Sequence, residues 1–436
     1  MLAAVLAAVL IFSTGIGEPP QPLAERALAE LGARTQLAPG VTHRALHTTA
    51  AAGAVLGDVV EVDLSDPTVH AGLLMPGAIA ARGPVAEMAD RAGAVAAING
   101  DFFDIGRTNA PAGPAVADGH PLKAAVPPGR RMGPVVPGAE IDSVFTVGTD
   151  RVARIDRLRL EARAIGPSTT YEVVALNQYA VPEDGIGIFT HEWGDVDRAH
   201  TLCGTDADRE APCADEQAEV LVRDGVVVAA GRPRGGRIPE GELALTGRED
   251  GAAAVRSLRV GDHVDVEYEL VPRSGHPPEL AVGGSPIMFD GDPVPGLDDH
   301  ERAPRSAAGA SDDGRRMWLL TLDGRQSDSV GATLQELAQL LRELGVEDAV
   351  NLDGGGSSTL VFRDPGATAV TVVNDPSGPS PRFVPNGIGI YTGSSELAFR
   401  PAGYWSLTRG GGERGCPCER RVASRRAVST WDGPSA

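Results

Sequence analysis

Met317-Trp318-Leu319-Leu320-Thr321-Leu322-Asp323-Gly324-Arg325, then Thr333-Leu334-Gln335-Glu336-Leu337-Ala338-Gln339-Leu340-Leu341, then Ala349-Val350-Asn351-Leu352-Asp353-Gly354-Gly355-Gly356-Ser357-Ser358 are the stretches that decide the fold. The first opens as a short continuous apolar run, as a buried strand does. Thr333 with Glu336 three residues later is a capping box. Leu334, Leu337, Leu341 and Leu344 then fall on one helical face, with Leu340 beside it, and Gly345 supplies a C′ stop. Ala349–Leu352 is a second buried strand. The unit at 317–352 thus reads strand, helix, strand, which favours a right-handed crossover between parallel strands. Parallel strands end on one edge of a sheet, the edge where open α/β sheets bind ligands. Asp323 and Asp353 each follow a strand, so topology predicts that both lie there.

Working outward, the chain reads as α+β: a mixed β-sheet domain with flanking helices. Val59–Leu64, Val69–Leu74 and Ala94–Ile98 read as strands and Pro84–Ala92 as a helix. Residues 106–135 are rich in Gly and Pro and read as irregular surface. From 141 to 275 strands alternate with turns, including a hairpin at Glu219–Arg223 and Val226–Ala230 around Asp224-Gly225. Four parts are expected: 1–20 as an export segment, 21–54 as an N-terminal helix (21–34) and linker, 55–393 as the working domain, and 394–436 as a disordered tail.

The export reading rests on the apolar run Met1–Phe12, too short for the roughly 20 residues of a membrane span. It implies a secreted or cell-surface protein with no integral membrane domain beyond that segment. Cys203 and Cys213 sit ten apart and would close a small loop in an oxidising compartment. The formal charge of −20 disfavours nucleic-acid partners, which recruit Lys and Arg against phosphates. Aromatics are only 4%, so the core must be built from Ala, Val and Leu.

The residues that could carry chemistry follow strands. Asp353 leads Gly354, Gly355, Gly356 and Ser357. Glycines let a ligand approach the backbone closely, and amides with a hydroxyl can cradle a phosphate or a sugar hydroxyl. Asn99-Gly100-Asp101-Phe102-Phe103 also follows a buried strand, and Asn99, Asp101 and Asn351 could hold sugar hydroxyls. Arg305 and Arg325 offer planar guanidiniums suited to a phosphodiester. The nine histidines show no metal-ligand spacing; His191, Glu192 and His200 lie in a polar loop. Nothing requires a cofactor, while a divalent cation such as Ca2+ is left open and any metal ligands are unknown.

Taken in order, Asn99–Phe103, Pro304-Arg305, Asp323-Gly324-Arg325, Asn351–Ser358 and Asn386-Gly387-Ile388-Gly389 resemble the phosphodiester glycosidase family. Gly185–Trp193 with Trp193-Gly194, and Ile238-Pro239-Glu240-Gly241, add to a resemblance that covers roughly 55–393. It implies hydrolysis of a sugar–phosphate diester, with a sugar-phosphate or cell-wall glycan as partner. The family often has Gly where this chain has Asp101, so Asp353 is the leading catalytic carboxyl and Asp323 its partner. Two other readings stand beside it: a non-catalytic carbohydrate- or cell-wall-binding protein on the same fold, and a metal-dependent phosphodiesterase.

Overall fold

The computed structural model describes residues 30–50 and 52–393. The expected export segment, the first part of the expected N-terminal helix, the tail and Cys416 and Cys418 lie outside the described residues. Within them, strands dominate and three α-helices flank them.

The sheet that carries the deciding stretch has nine strands. Its centre is built from Arg316–Leu322, Arg305–Ala310 and Asp348–Asn351. Arg305 pairs with Leu322 and Ala307 with Asn351, all antiparallel. Arg316–Leu322 and Asp348–Asn351 therefore run the same way, but Arg305–Ala310 lies between them. Adjacent parallel strands are what the strand-helix-strand pattern predicts. The structure reaches the same edge by two antiparallel steps, because two reversals restore the direction. Among the described residues the parallel pairing is Ala175–Leu176 with Ile186–Phe189, so the sheets are mixed only there.

The helix between those strands, Leu334–Glu343, has its capping box formed at both ends: Glu336 N–H donates to Thr333 Oγ1, and Glu336 accepts from the Thr333 N–H. Leu334, Leu337, Ala338, Leu340 and Leu341 are buried against Ile287, Ala307, Trp318, Leu320 and Ala349 of the sheet. Each such leucine contributes roughly 1.5–3 kcal/mol by leaving water. The helix therefore fixes the sheet edge from one side.

A second sheet of five strands includes Leu360–Phe362, Ala96–Asn99, Gly387–Thr392 and Val69–Leu74. Gly387 pairs with Asn99, so the Asn99 and Asn386 motifs are neighbours in space. The hairpin Gln217–Arg223 with Val226–Gly231 turns at Asp224 and Gly225, both at positive φ (48° and 72°), as a tight two-residue turn requires. Cys203 and Cys213 are joined in a disulfide.

Three expectations are corrected. Residues Glu30–Leu31, Thr35–Ala38 and Val41–Ala50 are strands, not helix and linker. Their apolar spacing fits either period over so short a run, and pairing with the strand Gly53–Asp63 decides it. The 106–135 segment is neither wholly irregular nor surface: it contains the short strands Ala115–Ala117 and His120–Lys123, and Ala110, Ala112, Val116, Leu122 and Val126 are buried. Its small residues let backbone pack in the core, a burial that leaves no periodic signature. The alternation over Leu258–Leu270 reads as one half-buried strand; Leu258–Asp262 is not strand, and the strand is Asp265–Pro272.

Candidate active site

Asp323 and Asp353 lie at one sheet edge, past the ends of their strands, with Arg305 beginning the strand between. The glycine loop folds back into a short 3-10 turn, Gly355–Ser357. Gly355 has φ 61°, and a Cβ on Gly354 would stand 2.7 Å from Pro304 O. Both positions therefore need glycine, which lets the loop lie against the start of the Arg305 strand.

Asp353 is held by its main chain: its N–H donates to Gly100 O at 2.9 Å. Its carboxyl is bonded by Ser357 and the Gly354 amide and faces the charges of Arg382 and Asp101. Burial is the strongest influence and pushes the carboxyl up to about 7 despite those bonds. Asp323 is 5% exposed and is also pushed up to about 7, first by burial. Asp375 N–H donates to its Oδ1 at 3.0 Å and Asn374 Nδ2 at 3.4 Å. Asn374 also donates to Ser358 O at 3.1 Å, linking Asp323 to the end of the glycine loop.

The loop's amides are mostly used within the protein. Gly355 N–H donates to Pro304 O, Ser357 N–H to Gly354 O and Ser358 N–H to Gly355 O. Few of the loop's amides are thus left for a ligand, and two guanidiniums stand beside it. Arg325 is exposed, holds φ 62°, and its Nη1 lies 3.1 Å from where a Gly355 Cβ would be. Arg382 is exposed too; its Nη2 lies 2.7 Å from where a Gly356 Cβ would be. Its Nη1 donates to Ser357 Oγ at 3.2 Å and its N–H to Gly356 O at 3.3 Å. Sequence reasoning missed Arg382, because it sits in a proline-rich loop without periodicity. Its closeness to the Asn386 motif was the available signal.

Arg305 is 5% exposed, and its Nε and Nη2 donate to Ala332 O at 2.9 Å and Glu301 O at 2.7 Å. Those bonds make it a buttress of the loops around the edge. Asn99 is fully buried and fully engaged: Nδ2 donates to Asp353 O, and Oδ1 accepts from Ser306 Oγ and Thr359 N–H. Asp101 is 1% exposed; its Oδ2 accepts from Gly113 N–H at 2.5 Å, and burial raises it against the pull of Arg131 and Lys123. Asn351 is 1% exposed with neither side-chain atom bonded within the protein. Among the described residues no group of three or more His, Cys, Asp and Glu is arranged to hold a metal. Glu192 is bonded to His120, Thr190 and His191.

Two carboxyls, Asp323 and Asp353, and two guanidiniums, Arg325 and Arg382, thus surround the glycine loop at one sheet edge. Residues 216–391 match the model of the phosphodiester glycosidase family, so the resemblance read from the sequence is shown over that part of the chain. Asp323, Arg325, Asp353 and Arg382 lie inside that match; Asn99 and Asp101 lie before it. Two solved structures share the fold. A hypothetical protein from Synechocystis aligns at TM-score 0.65 and 21% identity, over 83% of this chain and 64% of its own length. The chain thus spans less than two thirds of that protein. A protein of Burkholderia pseudomallei described as exported aligns at TM-score 0.65 and 18% identity, over 86% and 99%. The zebrafish N-acetylglucosamine-1-phosphodiester α-N-acetylglucosaminidase catalytic domain aligns at TM-score 0.41 and 16% identity, over 83% and 87%. No curated protein matches the chain.

Proposed function

We propose that the protein is a hydrolase that cleaves the glycosidic C–O bond of a sugar-1-phosphodiester in an exported glycan or glycoconjugate. The observation that carries this reading is a carboxyl, Asp353, at the foot of a glycine loop that is overhung by Arg325 and Arg382. The phosphodiester lies on the loop, and the two guanidiniums hold its oxygens. Cleavage passes through an oxocarbenium-like state. The departing group is a phosphate monoester, and the arginines stabilise the charge it carries away.

A phosphate leaving group needs little proton donation. The carboxyls serve the sugar side: a carboxylate attacks the anomeric carbon or activates the water that does. With values near 7, both Asp353 and Asp323 exchange protons readily at neutral pH. Asp353 takes this role and Asp323 is the second carboxyl. Asn99 and Arg305 act by positioning the loop.

Export fits the chain's disulfide, the apolar run Met1–Phe12 and the exported description of the Burkholderia protein. No helix among the described residues is long and apolar enough to cross a membrane. Hydrolysis in ¹⁸O-water tests the function. Label in the released sugar supports it. Label in the phosphate means P–O cleavage and a phosphodiesterase, and the absence of product over a panel of sugar-1-phosphodiesters leaves a binding protein.

A further inference from the structure

Close to Asp353 the protein buries polar atoms that it does not satisfy. Asn351 keeps Oδ1 and Nδ2 without a partner, Asp101 keeps Oδ1, and Arg131 keeps Nε and Nη1. Buried polar groups are nearly always bonded, so a cluster of exceptions calls for a reason. The elements gather these residues. Ser285 stands opposite Asn351 in register, and Arg131 Nη2 donates to Ser285 Oγ at 2.9 Å. Gly283, two residues earlier, lies so close to Asp101 that a Cβ there would meet its Oδ2 at 2.4 Å. The Arg131 guanidinium lies 5.8 Å from the centre of the buried Phe102 ring.

The segment that begins at Arg131 continues along the Phe102 ring, whose Cδ1 a Cβ on Gly133 would meet at 2.4 Å. From Met132 to Gly138 its amides make no backbone hydrogen bond to the rest of the described protein, and it is held by side-chain packing. Val136 is buried in the same apolar cluster as Ile287, Ala307 and Ala349, while Val135 beside it is 89% exposed. Gly133 and Gly138 both have positive φ (104° and 72°), giving the segment a hinge near each end.

We propose that Arg131–Gly138 is a flap closed over a sugar subsite formed by Asp101, Arg131 and Asn351, which takes the sugar through two adjacent hydroxyls. The chemistry of the unpartnered atoms selects the ligand. They comprise donors on Arg131 and Asn351 and acceptors on Asn351 and Asp101. An anion would answer only the donors and a cation only the acceptors. Neighbouring hydroxyls answer both, and the opposite charges of Arg131 and Asp101 suit a neutral ring. The sugar then sits inward, the phosphate lies on the glycine loop, and the aglycone points outward past Arg382. This placement rests on the phosphodiester reading; the subsite itself does not.

Hydrogen exchange of residues 131–139 tests the proposal on the full chain, with methyl glycosides of the common hexoses as probes and inorganic phosphate as the sugar-free control. At least one glycoside should slow exchange in the flap and phosphate should not. Asn351→Leu removes the unpartnered amide, and Arg131→Met keeps the stem over Phe102; each folded variant should weaken that protection at least tenfold in glycoside concentration. No protection by any glycoside in the unaltered protein overturns the proposal, as do two variants that bind like the unaltered protein. Should one variant fail to fold, the other decides. Protection without sugar release in ¹⁸O-water would remove the hydrolase reading and keep the subsite. Release without flap protection would do the reverse.

Discussion

Asn99 donates its side-chain amide to the main-chain carbonyl of Asp353 at 2.6 Å, across 254 positions of sequence. Its oxygen accepts Ser306 Oγ at 2.8 Å and Thr359 N–H at 3.0 Å. One buried amide thus joins the strand beside Asp353, the end of the glycine loop and Asp353 itself. Gly100 O completes the hold from the next residue. Asp353 is placed by the second sheet as much as by its own strand.

Asn99→Ala should therefore cost stability before it costs chemistry. Three buried groups lose their partner, and each such loss is about 1–3 kcal/mol, so the variant should unfold about 3 kcal/mol or more easily. Denaturant titration measures it. A loss below about 1 kcal/mol would mean that the knot is not tight, and would return Asn99 to the role of a sugar ligand.

Asp353→Asn keeps the shape of the side chain and removes its charge and proton. If Asp353 is the catalytic carboxyl, kcat should fall at least about 10²-fold, the low end for acid–base catalysis. KM should change little, because Arg325 and Arg382 remain over the loop. Near-normal turnover in a stably folded Asp353→Asn protein would falsify the assignment and shift it to Asp323.

The arginines divide into two kinds, and their variants should separate accordingly. Arg382 and Arg325 are exposed beside the glycine loop. Arg382→Ala and Arg325→Ala should each raise KM about tenfold or more, on the scale of a lost charge-assisted hydrogen bond, and lower kcat as well, because they also stabilise the departing phosphate, with melting unchanged. Arg305 instead fastens Ala332 O and Glu301 O from a buried position. Arg305→Met should lower the melting temperature. Steady-state kinetics with thermal melts on the three proteins would expose an error if Arg305→Met raised KM with no loss of stability.

How much of this was legible in the sequence depends on range. The capping box at Thr333 and Glu336, the leucine face after it and the turn at Asp224-Gly225 are local, and all are present. The shared edge of Asp323 and Asp353 was legible because topology needs only strand direction. The insertion of Arg305–Ala310 between their strands was not, since pairing order leaves no periodic trace. Arg305 and Asn99 were recognisable as important but not as structural: the partners of Asn99 lie more than 200 positions away, and those of Arg305 are main-chain carbonyls of loops, which carry no side-chain signature. Arg131 and Arg382 sit in Gly- and Pro-rich stretches where pattern says only that the chain turns.

The pH dependence of stability offers a test that needs no substrate. Asp353 and Asp323 have folded values near 7 against 3.8 for the unconstrained side chain. Between those limits the folded protein binds protons that the unfolded chain releases. Unfolding free energy must therefore fall as pH rises from about 4 through about 7, and level off above. Other groups pull differently: His70 is held below its ordinary value by burial and the Arg151 charge, so its contribution has the opposite slope. The difference between variant and unaltered protein isolates the carboxyls. Asparagine at either position is neutral at every pH, so Asp353→Asn and Asp323→Asn should each flatten the decline. At pH 8 each should unfold at higher denaturant than the unaltered protein, and near pH 4 the advantage should vanish. Denaturant titrations at pH 4, 6 and 8 read this directly. A variant less stable at pH 8 would show that the carboxylate form is stabilised in the fold, which would contradict burial as the dominant influence on that side chain.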